Sequence, residues 1–179
     1  MTFSNASLDP QRLPLLKEAA LEPVSRRLAP CQAALRTLHW LFLTLLAFFL
    51  LRLHEELAAW QPWLTAGVAT LGAVSVLMGW CDARRRAYGL RQHDLIYRRG
   101  LLVRRIQVLP LARLQHVETL SNPVERVFGL VRLACFTAGG RGADMVLEGL
   151  TAERAVAIRQ HLLAQLEGTP KAHVGPDVP

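Results

Sequence analysis

The sequence predicts an α+β fold in two parts. A two-helix transmembrane hairpin comes first, followed by a β-sandwich or barrel of antiparallel strands capped by a C-terminal α-helix. Three observations predict it. Apolar residues make up 51% of the 179-residue chain, yet between Thr37 and Cys81 the charged residues are limited to Arg52, Glu55 and Glu56. After Arg84, short runs rich in apolar residues alternate with Gly, Pro and Asn, which is the pattern of strands and turns. From Thr151 the apolar residues recur at helical spacing. So much apolar surface excludes a disordered chain. Three widely spaced cysteines, Cys31, Cys81 and Cys135, exclude a disulfide-rich secreted scaffold.

The chain divides into four segments. Residues 1–34 read as a cytoplasmic tail, punctuated by Pro10, Pro14, Pro23 and Pro30, with a short helix around Leu15–Leu21. Residues 35–81 are the hairpin, with helices at about 35–53 and 63–81. The second is an uncharged run of ~28 Å at 1.5 Å per residue, close to the ~30 Å hydrocarbon core. The first reaches that length with Arg36 and Arg52 snorkelling at its ends. A pair of buried core helices would show a polar stripe, which is missing here. Residues 82–168 form the β domain, and residues 169–179 a disordered tail. Ser25-Arg26-Arg27 resembles a twin-arginine signal and Leu28–Cys31 a lipoprotein box. No apolar stretch precedes Cys31 and no clear cleavage site follows, so the first span reads as an uncleaved anchor.

Arginine and lysine set the orientation. Arg12, Lys17, Arg26, Arg27 and Arg36 precede the hairpin, and Arg84, Arg85, Arg86, Arg91, Arg98 and Arg99 follow it, whereas the connection holds Arg52. The positive-inside rule places both termini in the cytoplasm. Trp60 and Trp63 suit one membrane interface, Trp40 and Trp80 the other. Ala69, Gly72, Ala73, Val76 and Gly79 share one side of the second helix, where small residues permit close approach.

The β domain reads as six strands: Arg86–Arg91, Leu95–Arg99, Leu101–Leu109, Arg113–Leu120, Leu130–Ala138 and Ala143–Glu148. His93-Asp94, Gly100 and the Gly139–Gly142 loop separate three of the pairs, Pro110 ends the third strand, and Asn122-Pro123 opens a compact connector over Val124–Gly129. Thr151 is a good N-cap, Ala155, Ile158, Leu162 and Leu166 form one apolar face, and Gly168 stops the helix.

Two of these stretches carry a resemblance. Leu109–Val117 (LPLARLQHV) and Pro123–Leu133 (PVERVFGLVRL) are similar to signatures of bacterial pleckstrin-homology (PH) domains. Tyr88-Gly89-Leu90, Arg99-Gly100-Leu101, Ala138-Gly139-Gly140 and Gly149-Leu150 follow the order expected of that family. The arrangement looks like that of the YdbS-like membrane proteins, two helices and one such domain, over roughly Leu38 to Leu166. The resemblance implies a PH-like fold of two nearly orthogonal sheets, about seven strands and a capping C-terminal helix. It also implies a bacterial inner-membrane protein without enzymatic activity that assembles with other PH-domain membrane proteins, or with copies of itself.

The residues themselves offer few sites for chemistry. None of the six histidines pairs with another His or a Cys at metal-ligand spacing, and P-loop, G-x-S-x-G and full G-x-G-x-x-G motifs are missing. No enzyme activity, cofactor or metal is therefore expected. Nucleic acid is a poor partner, because the basic pI of about 10.3 comes largely from membrane-proximal arginines with little aromatic interleaving. Arg84, Arg85, Arg86, Arg98 and Arg104 are the candidate contacts for anionic lipid headgroups. Positive-inside placement explains Arg84–Arg86 equally well. Arg98 and Arg104 are able to face each other across a hairpin. Pro110, Arg113, Gln115, Glu125, Arg126 and Gly129 are expected to be structural: an Arg and a Glu beside a turn between sheets supply partners for its backbone groups. The expected function is non-enzymatic assembly with partner membrane proteins, with binding of anionic headgroups as the alternative.

Overall fold

A computed structural model describes residues 21–53, 55–57, 59–138 and 142–168. Residues 1–20 of the tail expected over 1–34, with most of the short helix expected around Leu15–Leu21, the segment 169–179 and most of the Gly139–Gly142 loop lie outside the described residues.

The chain enters through a two-residue strand, β1 (Glu22–Pro23), and then forms two 25-residue helices, α1 (Leu28–Arg52) and α2 (Gln61–Arg85). Both are long and apolar enough to cross a membrane. Their apolar side chains face outward: Phe42, Phe49, Leu71 and Leu77 are each more than 60% exposed. A soluble core would bury such residues, so this surface calls for lipid. Each helix is ~37 Å long, a few residues more than the hydrocarbon requires. The surplus lies at the domain end, where Leu28, Ala29 and Cys31 of α1 and Ala83 of α2 are buried in the core.

Beyond α2 come β2 (Ala87–Leu90), β3 (Asp94–Arg99), β4 (Arg105–Pro110), a 3-10 turn (Leu111–Arg113), β5 (Leu114–Leu120), the short helix α3 (Pro123–Val127), β6 (Leu130–Thr137), β7 (Met145–Thr151) and α4 (Ala152–Gly168). They build two open antiparallel sheets, β1-β2-β3-β4 and β5-β6-β7. Leu95, Tyr97, Leu130, Leu133, Leu147 and Leu150 fill the space they share, and α4 adds Ala155, Ile158 and Leu162. The side chain of Leu166, the fourth residue expected on that stripe, lies outside the described residues. Thr151 Oγ1 accepts from the Arg154 N–H at 3.3 Å, the bond of an N-cap.

The architecture follows the expected α+β plan, and three of its differences from that plan bear on the site. The seventh strand comes from before the hairpin: Glu22 pairs with Tyr88 and Pro23 with Ala87. The boundary drawn at residues 34/35 falls inside α1, because Leu28–Cys31 continue the helix into the domain core. Third, β4 starts at Arg105 and not at Leu101, since Gly100 turns the chain at φ +102 and leaves residues 101–104 as a loop.

Candidate functional site

Where α2 gives way to β2, the backbone switches from helical to extended at Arg86 (φ −69, ψ 138). Arg84 and Arg85 therefore project from the last helical turn, while Arg86 is the extended C-cap residue that leads into the strand. β3 brings Arg98 to its end, and the loop after Gly100 returns Arg104. These elements enclose a cavity of about 340 Å³ lined by Arg84, Arg85, Arg86, Arg98 and Arg104, with Leu21, Pro23 and Ala87 completing the wall. All five arginines singled out in the sequence line this one cavity. Arg98 and Arg104 do not pair directly: the ladder sets Arg98 opposite Ile106 and Arg99 opposite Arg105, and Arg104 lies just beyond it.

The five are not equivalent. Arg84, Arg85 and Arg104 are exposed, Arg98 is half-buried, and the Arg86 side chain is 11% exposed. Arg86 donates from Nε and Nη2 to Asp82 Oδ2 at 3.0 and 2.7 Å, and from Nη1 to Glu148 Oε2. Gln32 of α1, with its amide oxygen turned toward the guanidinium, accepts at 3.1 Å. Burial disfavours the Arg86 charge, but Tyr97, Asp82 and Glu148 outweigh it and hold the group above the usual arginine range. Burial raises the Tyr97 phenol, with Arg86 opposing. Arg86 thus joins α2 to β7, and two carboxylates balance its charge. The outward positive field of the cavity rests on the exposed Arg84, Arg85 and Arg104.

A second cluster fastens the entering chain. Glu22 accepts from the Tyr88 hydroxyl at 3.1 Å and from Arg154 Nη2, and Arg154 Nε donates to the Tyr88 oxygen at 3.0 Å. The bond from Arg154, then that from Tyr88, holds the Glu22 carboxyl below its usual range. Neither cluster was visible in the sequence. Asp82 stands alone at the end of an apolar span, and Glu22, Tyr88 and Arg154 are far apart in the chain. The one available hint was a carboxylate, Asp82, placed one residue away from a run of three arginines.

Among the motif residues, Glu125 carries the structural role. It is 8% exposed and closes a capping box at the start of α3. Its side chain accepts from the Asn122 N–H at 3.0 Å, and Asn122 Oδ1 accepts from the Glu125 N–H at 2.7 Å. The arginine on Glu125 is Arg132, from β6, at 3.0 Å. Arg113, Gln115 and Arg126, expected around this turn, are exposed, as is Pro110. Gly129 follows α3 at φ +65, which suits glycine.

In the hairpin, Gly72 lies against Trp40 and Gly79 against Arg36. Arg36, expected to snorkel at the helix end, crosses to α2 and donates to the Ser75 carbonyl at 2.9 Å. Trp40 packs on Gly72, eight residues or about 12 Å along α2 from Trp80. Thr37, Trp40, Gly72, Ala73, Val76 and Trp80 lie along an open apolar groove of about 600 Å³. Among the described residues no group of three or more His, Cys, Asp or Glu side chains is positioned to hold a metal ion.

Comparison with known proteins agrees with this architecture. The bacterial PH domain family matches residues 34–166, hairpin included. The UPF0699 transmembrane protein YdbT of Bacillus subtilis (strain 168) is 30% identical over 95 residues, covering 49% of this chain and 19% of that protein. The chain therefore spans about a fifth of the length of this curated relative. No solved structure matches the chain. A match over most of the sequence, on a fold of two open sheets and a capping helix, shows that the chain belongs to the bacterial PH domain family.

Proposed function

We propose that this is a non-enzymatic bacterial inner-membrane protein that holds an anionic lipid headgroup in the arginine-lined cavity beside α2. The observation that carries the proposal is the convergence of Arg84, Arg85, Arg98 and Arg104 on one cavity directly beyond a membrane-length helix. Its volume falls within the ~300–1,000 Å³ of small-molecule sites. Arg86 is already balanced by Asp82 and Glu148, and the exposed charge of Arg84, Arg85 and Arg104 favours a phosphate. The basic flanks on both sides of the hairpin support a cytoplasmic domain and cytoplasmic termini.

Lipid carried by the purified full chain tests this. Phosphatidylglycerol or cardiolipin should be enriched relative to the membrane of origin. Arg84→Ala with Arg104→Ala should abolish that enrichment, since about 1 kcal/mol per arginine amounts to roughly thirtyfold in affinity for the pair. Lipid composition equal to that of the membrane, unchanged in the variant, would refute the proposal.

One observation favours a second reading, assembly with other membrane proteins. The groove beside Trp40 and Gly72 is open along the hairpin and lined by small and apolar side chains, the type of surface on which transmembrane helices pack. A single-chain mass for the protein in mild detergent from native membranes, with no co-purifying membrane protein, would remove this reading.

A further inference from the structure

The loop between β3 and β4 has a composition unlike the rest of the domain surface. Leu102 is 80% exposed and Val103 68%, while Arg98 and Arg99 at the end of β3, Arg104 in the loop and Arg105 at the start of β4 flank them. Ile106, next along β4, is 58% exposed. Large apolar side chains at a strand tip are costly in water. They suit a bilayer boundary, where apolar residues enter the acyl region and arginines stay at phosphate level.

The position of the loop matches its composition. Leu101 and Leu102 line a small cavity together with Arg36, Met78 and Asp82. Met78 belongs to the uncharged run Trp63–Cys81 of α2, and Arg36 reaches Ser75 one turn deeper. The tip therefore lies beside the last turn of the membrane span and not out beyond the domain. Its shape is fixed as well. Gly100 adopts φ +102, and a Cβ there would collide with the Val103 carbonyl, so the turn closes tightly on glycine alone.

We infer that Leu102 and Val103 insert into the headgroup–acyl boundary of the bilayer that the hairpin crosses, as a third membrane contact. The flanking arginines meet the phosphates, and the domain is held against the membrane at two points, the end of α2 and this tip. The inference shares with the proposed function the placement of the domain at the bilayer, but it does not require a preference for anionic lipid.

Depth-dependent quenching on the full chain tests it. In a Cys81→Ser background, where Cys31 and Cys135 are buried, Leu102→Cys and Val103→Cys are labelled with an environment-sensitive nitrobenzoxadiazole dye. Val156→Cys on α4, an exposed apolar position elsewhere on the domain, serves as reference. In proteoliposomes of phosphatidylcholine, with or without phosphatidylglycerol, the dye at 102 and 103 should shift to the blue. Nitroxides carried high on the acyl chain should quench most of its emission, and the Val156→Cys label should behave as in water. Water-like emission at 102 and 103 in both lipid mixtures would overturn the inference. So would disulfide-linked dimers through position 102 without lipid quenching, because they would place the tip against a second copy. Insertion in both mixtures with no anionic enrichment in the purified protein would refute the headgroup proposal and leave this one standing.

Discussion

At Gly149 the backbone adopts φ +81, and a Cβ there would lie 2.7 Å from Leu28 Cδ2. The Gly149 carbonyl also accepts from the Ser25 N–H at 2.9 Å. The first turn of α1 is therefore seated on β7 at a residue where only glycine fits. Gly149→Ala should destabilise the protein by about 1–3 kcal/mol from backbone strain alone, read as a lower melting temperature in detergent. Glu22 gives a pH dependence at the neighbouring contact. Its carboxyl is held below the usual value of 4.5, first by Arg154 and then by Tyr88. A depressed carboxyl contributes stability that is present above its unfolded value and lost as pH falls through the folded one. Acidification below 4.5 should thus release β1, seen as faster hydrogen exchange at the Val24 amide, which donates to the Arg86 carbonyl. Glu22→Gln should show that faster exchange already at neutral pH.

Among the elements, those legible in the sequence have a period or a punctuation mark of their own. The spans were visible from uncharged length, β3 and β6 from their runs, and α4 from Ala155, Ile158 and Leu162. The strand β1 was not, because two residues have no periodicity and Pro23 argues against a strand except at a sheet edge, where it lies. The start of α1 was hidden for another reason. Leu28 to Cys31 are apolar like the span that follows, and composition does not tell core from lipid. The five cavity arginines were legible as a group, whereas the carboxylates that remove Arg86 from it come from α2 and β7 and meet only in the fold. The small-residue side of α2 is testable directly. A Cβ on Gly72 would sit 2.9 Å from Trp40 Cβ, whereas one on Gly67 meets nothing within 4 Å. Gly72→Leu should therefore lower the melting temperature markedly and Gly67→Leu hardly at all.

Over the whole molecule, hairpin and domain are one folded unit and not an anchor with a globule attached. α1 begins in the core, α2 ends at the Asp82–Arg86–Glu148 joint, and the segment before the hairpin completes a sheet built after it. That unity explains the candidate site. Arginines from α2 and from the β3–β4 hairpin share a cavity because neither element is free to swing away from the other. It also changes what counts as the domain. A fragment starting at Arg84 lacks β1 and the buried Val24, Leu28, Ala29 and Cys31. At ~1.5–3 kcal/mol for each larger apolar side chain, the loss approaches the ~5–15 kcal/mol that holds a typical domain together. The measurement that tests this most directly compares the thermal unfolding of two hairpin-free proteins. One is residues 84–168 alone, and the other is residues 21–34 joined by a short Gly/Ser linker to residues 82–168. The linked protein should unfold cooperatively and the shorter fragment should show no cooperative transition. Equal, cooperative unfolding of both would contradict a domain built partly from the segment that precedes its own membrane hairpin.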